Sequence, residues 1–112
     1  MRLKLTSLLI FVALMTFGQK HVQQGDQLYG QLAFSAALEE YLKADQTQPE
    51  VMFKIAECYR MMQDNTSALN WYEKVSSLKT KDPLILRRYG EALMLAGKYK
   101  EAAEAFEQSL AI

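Results

Sequence analysis

The chain has little of what usually marks a chemical site. A single cysteine, Cys58, excludes an internal disulfide. A single histidine, His21, with no companion cluster of cysteines or acids, leaves nothing with metal-ligand spacing. No G-x-x-x-x-G-K-[ST] run is present to cradle a phosphate, and no cofactor is expected. Thirteen lysines and arginines balance thirteen acids, so the charge pattern excludes an electrostatic footprint for nucleic acid. Two prolines and five glycines in 112 residues leave little room for long irregular segments, and no stretch is low in complexity. What remains is about half hydrophobic, enough for one small domain.

The first residues read as a targeting segment rather than as part of a fold. Met1-Arg2-Leu3-Lys4 is a short basic stretch, Leu5 to Phe17 is uncharged and mostly apolar, and Thr16-Phe17-Gly18 offers small residues where a signal peptidase inspects the chain. The run is shorter than the ~20 apolar residues of a membrane-spanning helix. A signal peptide over 1–18, cleaved after Gly18, is the expectation. An uncleaved anchor and a first buried helix are the competing readings, and the missing cysteine at the cleavage point argues against a lipoprotein. Loss of Arg2 and Lys4 leaves 11 basic residues against 13 acidic, a net charge of −2, in a mature chain over 19–112. The expected location is the periplasm or cell envelope of a bacterium, with no membrane span after cleavage. In that compartment a lone cysteine is tolerable when buried.

The strongest signal is an internal echo. Pro49, Ala56, Glu57, Cys58, Ala68, Tyr72 and Glu73 return 34 residues later as Pro83, Gly90, Glu91, Ala92, Ala102, Phe106 and Glu107. Small and aromatic residues at fixed offsets in a period of 34 mark a stacked helix–turn–helix repeat. An earlier, degraded copy precedes them at a spacing of 31: Gly25, Leu28, Ala37, Leu38 and Tyr41 anticipate Ala56, Tyr59, Ala68, Leu69 and Tyr72.

Helix signals agree with the echo. Gln48-Pro49-Glu50 and Asp82-Pro83 read as helix starts, with proline at the first helical position and Asp82 as N-cap. Gln63-Asp64-Asn65-Thr66 is a polar turn, and Gly97 suits a left-handed helix end. Apolar residues recur at spacings of three and four: Met52, Ile55, Ala56, Tyr59 and Met62; Ala68, Leu69, Tyr72, Val75 and Leu78; Leu86, Tyr89, Leu93, Leu95 and Ala96; Tyr99, Ala102, Ala103, Phe106 and Leu110. The expected fold is all-α, a right-handed superhelical solenoid of about three hairpins near 21–47, 49–79 and 83–112. Ala37, Ala68 and Ala102 let the two helices of a hairpin approach, and Tyr41, Tyr72 and Phe106 fill the space one turn on.

On these residues the chain resembles the tetratricopeptide repeat family. The third repeat carries Gly90, Ala92, Gly97, Tyr99, Ala102 and Phe106, the second Tyr59, Ala68 and Tyr72, the first Leu28, Phe34, Ala37 and Tyr41. Departures are Met52 and Leu86 for a large aromatic early in the first helix, and Leu32 and Gln63 where the third hairpin has glycine. The resemblance implies a non-catalytic protein–protein interaction module with a concave groove lined by the first helix of each hairpin. It assigns Glu50, Phe53, Lys54, Glu57, Arg60 and Met61 to that groove from the second repeat. It adds Leu84, Arg87, Arg88, Glu91, Met94 and Leu95 from the third, and Val22, Gln23, Asp26 and Tyr29 from the first. Helical spacing agrees for Phe53, Glu57 and Arg60, and for Arg87, Glu91 and Met94. The cations suit a carboxylate or phosphate, unless Lys54 pairs with Glu57 and Arg87 with Glu91 on a solvated helix face. The family's clamp for chaperone C-terminal carboxylates is not expected, since Val22 and Asp26 stand where it needs lysine and asparagine. A protein or peptide partner is expected, and no nucleic acid.

A narrower resemblance, carried by Ala56-Glu57-Cys58-Tyr59-Arg60, Trp71-Tyr72 and Arg88-Tyr89-Gly90-Glu91-Ala92-Leu93, is to the repeat region behind the signal peptide of certain OmpA-family envelope proteins, some of them in type IX secretion. It implies the alternative function, a structural or docking module of a larger envelope assembly. The last residues, Ser109-Leu110-Ala111-Ile112, give the final helix no polar cap. They raise the expectation that the chain is the front of something longer, or self-associates through that end.

An enzyme is not expected. Cys58 and His21 fall on different hairpins, and Cys58 takes a small buried position. Glu39-Glu40 and Glu101/Glu104 read as solvated charges, Trp71 as a packing surface, and Asn65-Thr66-Ser67 as a chance glycosylation sequon.

Overall fold

The computed structural model describes Leu9, residues 18–78 and residues 81–112. The expected signal peptide therefore lies outside the described residues apart from Leu9 and Gly18, as does Lys79-Thr80. Among the described residues the chain is all helical, without a strand: α1 (18–30), α2 (Phe34–Lys43), α3 (Pro49–Met61), α4 (Asn65–Ser77), α5 (Pro83–Leu95) and α6 (Tyr99–Leu110). Helices adjacent in sequence pack on one another from α2 to α6.

Local chemistry sets the boundaries. Pro49 and Pro83 open α3 and α5 where no N–H is needed. Asp82 caps α5 by accepting from the Leu84 N–H at 2.9 Å, and Asp64 caps α4 by accepting from the Ser67 N–H at 3.2 Å. The three hairpin turns share one backbone motif. Leu32, Gln63 and Gly97 are left-handed, with φ of 63°, 62° and 77°. The next residue's N–H reaches back across the turn each time: Ala33 to Leu28 O at 2.9 Å, Asp64 to Tyr59 O at 3.0 Å, Lys98 to Leu93 O at 2.9 Å. This Schellman closure satisfies the carbonyls a helix end leaves open. The first two turns thus keep the glycine conformation without the glycine.

Packing follows a second shared device. Tyr41, Tyr72 and Phe106 each lie on a small residue sixteen positions earlier, at 25, 56 and 90. A Cβ added at Gly25 would run into the Tyr41 ring, and one at Gly90 would stand 2.7 Å from the Phe106 ring. Ala56 packs with Tyr72 in the core between the second and third hairpins. Between the first and second hairpins, Ala37, Tyr41 and Ala44 pack on Val51, Ile55 and Cys58.

The buried set is narrower than periodicity suggests. Val51, Ile85 and Ala105 belong to the core, while Leu78, Leu95, Tyr99, Ala103 and Leu110 are exposed. The reason is location. Leu78, Leu95, Tyr99 and Leu110 sit at helix ends, beyond the reach of a neighbouring helix, and no helix among the described residues covers α6 at Ala103.

A left-handed conformation costs a residue with a Cβ about 1 kcal/mol or more, and Leu32 and Gln63 are exposed, so their side chains contribute little packing in return. Leu32→Gly and Gln63→Gly should each raise unfolding free energy by roughly 0.5–1 kcal/mol, less than the full relief because glycine also frees the unfolded chain. Gly97→Ala should lower it by a similar amount. Urea titration of the three variants checks both signs.

Candidate functional site

The first helices α1, α3 and α5 carry a chain of polar contacts that begins in the core. Tyr41 and Tyr72 are 2% and 0% exposed, yet each hydroxyl ends at an acid on the first helix of its own hairpin. Tyr41 donates to Asp26 Oδ1 at 2.5 Å, and Tyr72 to Glu57 Oε1 at 2.5 Å. Each acid in turn meets a cation from the next hairpin. Lys54 Nζ lies 2.6 Å from Asp26 Oδ1, and Arg88 Nε 3.3 Å from Glu57 Oε1. The Arg88 Nε–H is not aligned for a hydrogen bond, so that contact is an ion pair alone. Lys54 and Arg88 are 34 residues apart, Asp26 and Glu57 31 apart, so the same rung is built twice: hydroxyl, carboxylate, cation of the following repeat.

Pairs within each helix brace the rungs. Arg60 grips Glu57 through two bonds, at 2.8 and 3.3 Å, a bidentate geometry favoured by its planar guanidinium. Lys54 also lies 3.6 Å from Glu50, and Arg88 donates to Glu91 at 3.1 Å. Burial, and then the hydrogen bond to an acid, pushes both tyrosine hydroxyls well above the usual tyrosine range. At the third position Phe106 replaces tyrosine, so Glu91 receives no hydroxyl.

Between α1, α2 and α3 the rungs border an open pocket of about 250 Å³ lined by Asp26, Tyr29, Tyr41, Phe53, Lys54 and Glu57. Half of its lining is aromatic and half charged; outside it, Tyr29 meets Phe34 edge-on at 5.1 Å, and Phe53 sits 6.0 Å from the Tyr72 ring. Lys54 stands 5.8 Å over the Tyr41 ring as well as against Asp26. Of the residues assigned to the groove, Asp26, Tyr29, Phe53, Lys54 and Glu57 meet at this pocket, while Arg60, Arg88 and Glu91 join through the ion pairs. Met61, Leu84, Met94 and Leu95 are exposed. Arg87 is exposed and makes no ion pair among the described residues.

Two expected pairings are corrected. Lys54 pairs with Asp26 and Glu50 instead of Glu57, because Tyr72, Arg60 and Arg88 already surround Glu57. Arg88, not Arg87, holds Glu91. Glu40 is not a free solvated charge: it meets His21 Nδ1 at 2.7 Å and Lys43 at 3.3 Å. The His21 contact above all holds its carboxyl below the usual range. Sequence reasoning missed the tyrosine hydroxyls. The available signal was tyrosine rather than phenylalanine at 41 and 72, since a buried phenol needs a partner, with an acid fifteen residues earlier in both cases.

Burial pushes the Cys58 thiol up to about 12, far from a neutral-pH nucleophile. Among the described residues no group of His, Cys, Asp or Glu is placed to hold a metal, and no helix is long and apolar enough to cross a membrane.

A sequence model of the tetratricopeptide repeat matches residues 23–111. No curated protein matches the chain significantly. Among solved structures, the second tetratricopeptide domain of Spaghetti, bound to the HSP90 peptide SRMEEVD, is similar with a TM-score of 0.79 at 21% identity. That match covers 88% of this chain and 96% of the other. MamA is similar with a TM-score of 0.78 at 18% identity, covering 85% of this chain, which spans only 57% of the MamA chain. The Yersinia enterocolitica type III secretion chaperone SycD, in complex with a peptide of the translocator YopD, gives 0.74 at 15% identity, covering 81% of this chain and 72% of the other.

Tyr72→Phe deletes a buried donor to a carboxylate and should cost about 1.5–3 kcal/mol. Phe106→Tyr should move stability the other way by supplying Glu91 with a hydroxyl. Because the native tyrosines ionise above their unfolded value of about 10, they contribute stability fully below that pH. The contribution falls as pH rises past it, where the unfolded chain sheds its protons first. Unfolding followed by tyrosinate absorbance should therefore begin above about pH 10 and be blunted in Tyr72→Phe.

Proposed function

This chain belongs to the tetratricopeptide repeat family, and on that premise we propose that it is a non-catalytic module holding a peptide or protein partner in the groove of α1, α3 and α5. The observation that carries the reading is the open pocket of about 250 Å³ lined by the rings of Tyr29, Tyr41 and Phe53 and by Asp26, Lys54 and Glu57. It is large enough for one apolar side chain of an extended segment, and it lies beside polar groups that fix direction. Structural likeness to domains whose structures hold an HSP90 peptide or a YopD peptide supports the same use of the fold.

The charges narrow the partner. Lys54, Arg60 and Arg88 are each neutralised by a neighbouring acid, so an acidic tail would have to displace Asp26 or Glu57 to reach them. Among the described residues of the groove, Arg87 is the cation left without an ion pair and open to a carboxylate or phosphate. The proposed ligand is therefore an extended segment with a bulky apolar residue for the pocket and at most one anionic group for Arg87.

We read the setting as the bacterial envelope, from the signal-peptide pattern of residues 1–18 and the resemblance to OmpA-family repeat regions. Amino-terminal sequencing of the exported protein beginning at Gln19 supports that setting, and retention in the cytoplasm of a bacterial host contradicts it.

The function itself is tested with the partner captured from an envelope fraction by residues 19–112. Arg87→Glu, on an exposed side chain with no ion pair among the described residues, should weaken capture by about two- to fivefold with an unchanged thermal midpoint. The peptide SRMEEVD should show no saturable binding. Unchanged capture by Arg87→Glu together with tight binding of SRMEEVD would sink this reading of the groove.

A further inference from the structure

The two rungs differ in one arm. Glu57 has both carboxylate oxygens in use: Oε1 accepts from the Tyr72 hydroxyl and lies 3.3 Å from Arg88, and Oε2 accepts from Arg60 of its own helix at 2.8 Å. Asp26 uses one. Its Oδ1 accepts from the Tyr41 hydroxyl at 2.5 Å and from Lys54 at 2.6 Å, while Oδ2 accepts no hydrogen bond among the described residues. The cause is a single position. Arg60 stands 31 residues after Tyr29, the same spacing that separates Glu57 from Asp26. Where the second rung has a guanidinium reaching back three residues to its acid, the first has a phenol that makes no hydrogen bond to Asp26. Tyr29 instead meets Phe34 edge-on and lines the pocket. The Asp26 side chain accordingly stays 47% exposed, against 14% for Glu57.

The pocket thus offers an acceptor and lacks a donor for it. A carboxylate accepts hydrogen bonds and gives none, and this one shares the lining with the rings of Tyr29, Tyr41 and Phe53. The charges there are already matched, Asp26 by Lys54, and Glu57 by Arg60 and Arg88. An entering cation would give up hydration and meet Lys54, whose Nζ stands 5.8 Å over the Tyr41 ring. An anion would meet Asp26 and Glu57. An aliphatic side chain would cover the rings and leave Oδ2 without a partner. A neutral ring that carries a donor meets both demands: it packs on the aromatic lining, and its donor reaches the oxygen. The indole of tryptophan is that group. Its N–H donates and has no lone pair to turn against a carboxylate, and its apolar body with one polar edge suits a site wet on one side.

We propose that the pocket takes a tryptophan side chain of the bound segment, with Asp26 Oδ2 accepting from the indole N–H. This rests on the groove reading above and narrows it: the bulky residue is selected for a donor as well as for size. Tyr29 is the position that creates the selectivity, because an arginine there would occupy the oxygen and displace one ring of the lining.

The test uses the full chain and N-acetyl amides of single amino acids, followed by the backbone amide NMR shifts of residues 26–29 and 53–57. N-acetyltryptophanamide should bind about fivefold more tightly than its 1-methylindole derivative, which keeps the ring and loses the donor. The same preference should hold over N-acetylphenylalaninamide and N-acetylleucinamide. Asp26→Asn keeps an oxygen for Tyr41 and Lys54 but sets an N–H in place of the second acceptor, and it should abolish the preference for the unmethylated indole. Tyr29→Arg, which gives Asp26 the arm that Glu57 has, should abolish it too, on a fold that the new pair braces. Equal binding of the indole and its methylated form to wild type overturns the proposal and leaves the groove reading standing, as does a preference that survives both substitutions. Tighter binding of N-acetylargininamide than of N-acetyltryptophanamide also overturns it and assigns the pocket to a cation. If none of the amides moves these resonances, the pocket is not a site, and the groove reading loses the observation that carries it.

Discussion

The whole array rests on one steric pairing: a ring on the second helix of each hairpin seated on a residue with almost no side chain on the first. Gly25 under Tyr41, Ala56 against Tyr72 and Gly90 under Phe106 fix how closely the paired helices approach and where along their axes they meet. Helices whose backbones close in this way sit at the short end of interaxial distances, and the ring then fills the gap between one hairpin and the next. Without the small residue the ring would be pushed outward, and the Val51–Ile55–Cys58 face of α3 would lose the surface it packs on. A small repeat unit cannot bury both of its faces alone, so this contact joins secondary structure to the stack.

The same pairing carries the ring's far end into the groove. A phenol seated at its base has one direction left, and in the first two hairpins that direction leads to Asp26 and Glu57. The acids are thereby fixed by groups in the core, and they fix Lys54 and Arg88 across the junction between repeats. Each exposed ion pair taken alone contributes about 0–1 kcal/mol. Anchored on a buried hydroxyl and partly withdrawn from water, the rungs act as a register device: a slip of one residue at a repeat junction would separate hydroxyl, acid and cation together. On the proposed groove reading, stability and recognition share residues, and altering Glu57 would disturb the stack as well as the groove.

Much of this was legible in the sequence, and the limits have physical causes. The 34-residue echo located the small and aromatic positions because sterics admit few residue types there. Asp82, Pro49 and Pro83 located helix starts because their roles are local. Leu32 and Gln63 looked like departures, yet their backbones match Gly97. The conformation is imposed by the Schellman hydrogen bonds and the packing on either side, and glycine only lowers its cost. Periodicity overestimated the core at Leu95, Tyr99 and Leu110, since it reports which face a residue is on and not whether a neighbour covers that place. The pairing of charges was misread between Arg87 and Arg88 because both lie within reach of Glu91 along the helix. Only the junction with α3, through Glu57, decides which guanidinium turns inward.

That decision has a consequence for selectivity. Once Lys54, Arg60 and Arg88 are held by acids, the groove presents a nearly neutral field, and long-range steering of an anionic partner is weak. A ligand that sought those cations would have to strip them of partners already in place, and the gain of a new ion pair would be offset by the loss of an old one. Apolar area has no such competitor. At about 25 cal/mol per Å², a single bulky side chain entering the pocket between Tyr29, Tyr41 and Phe53 outweighs an exposed ion pair at Arg87. Charge in this groove is spent on holding the array in register, and affinity must come from the rings that the array holds apart.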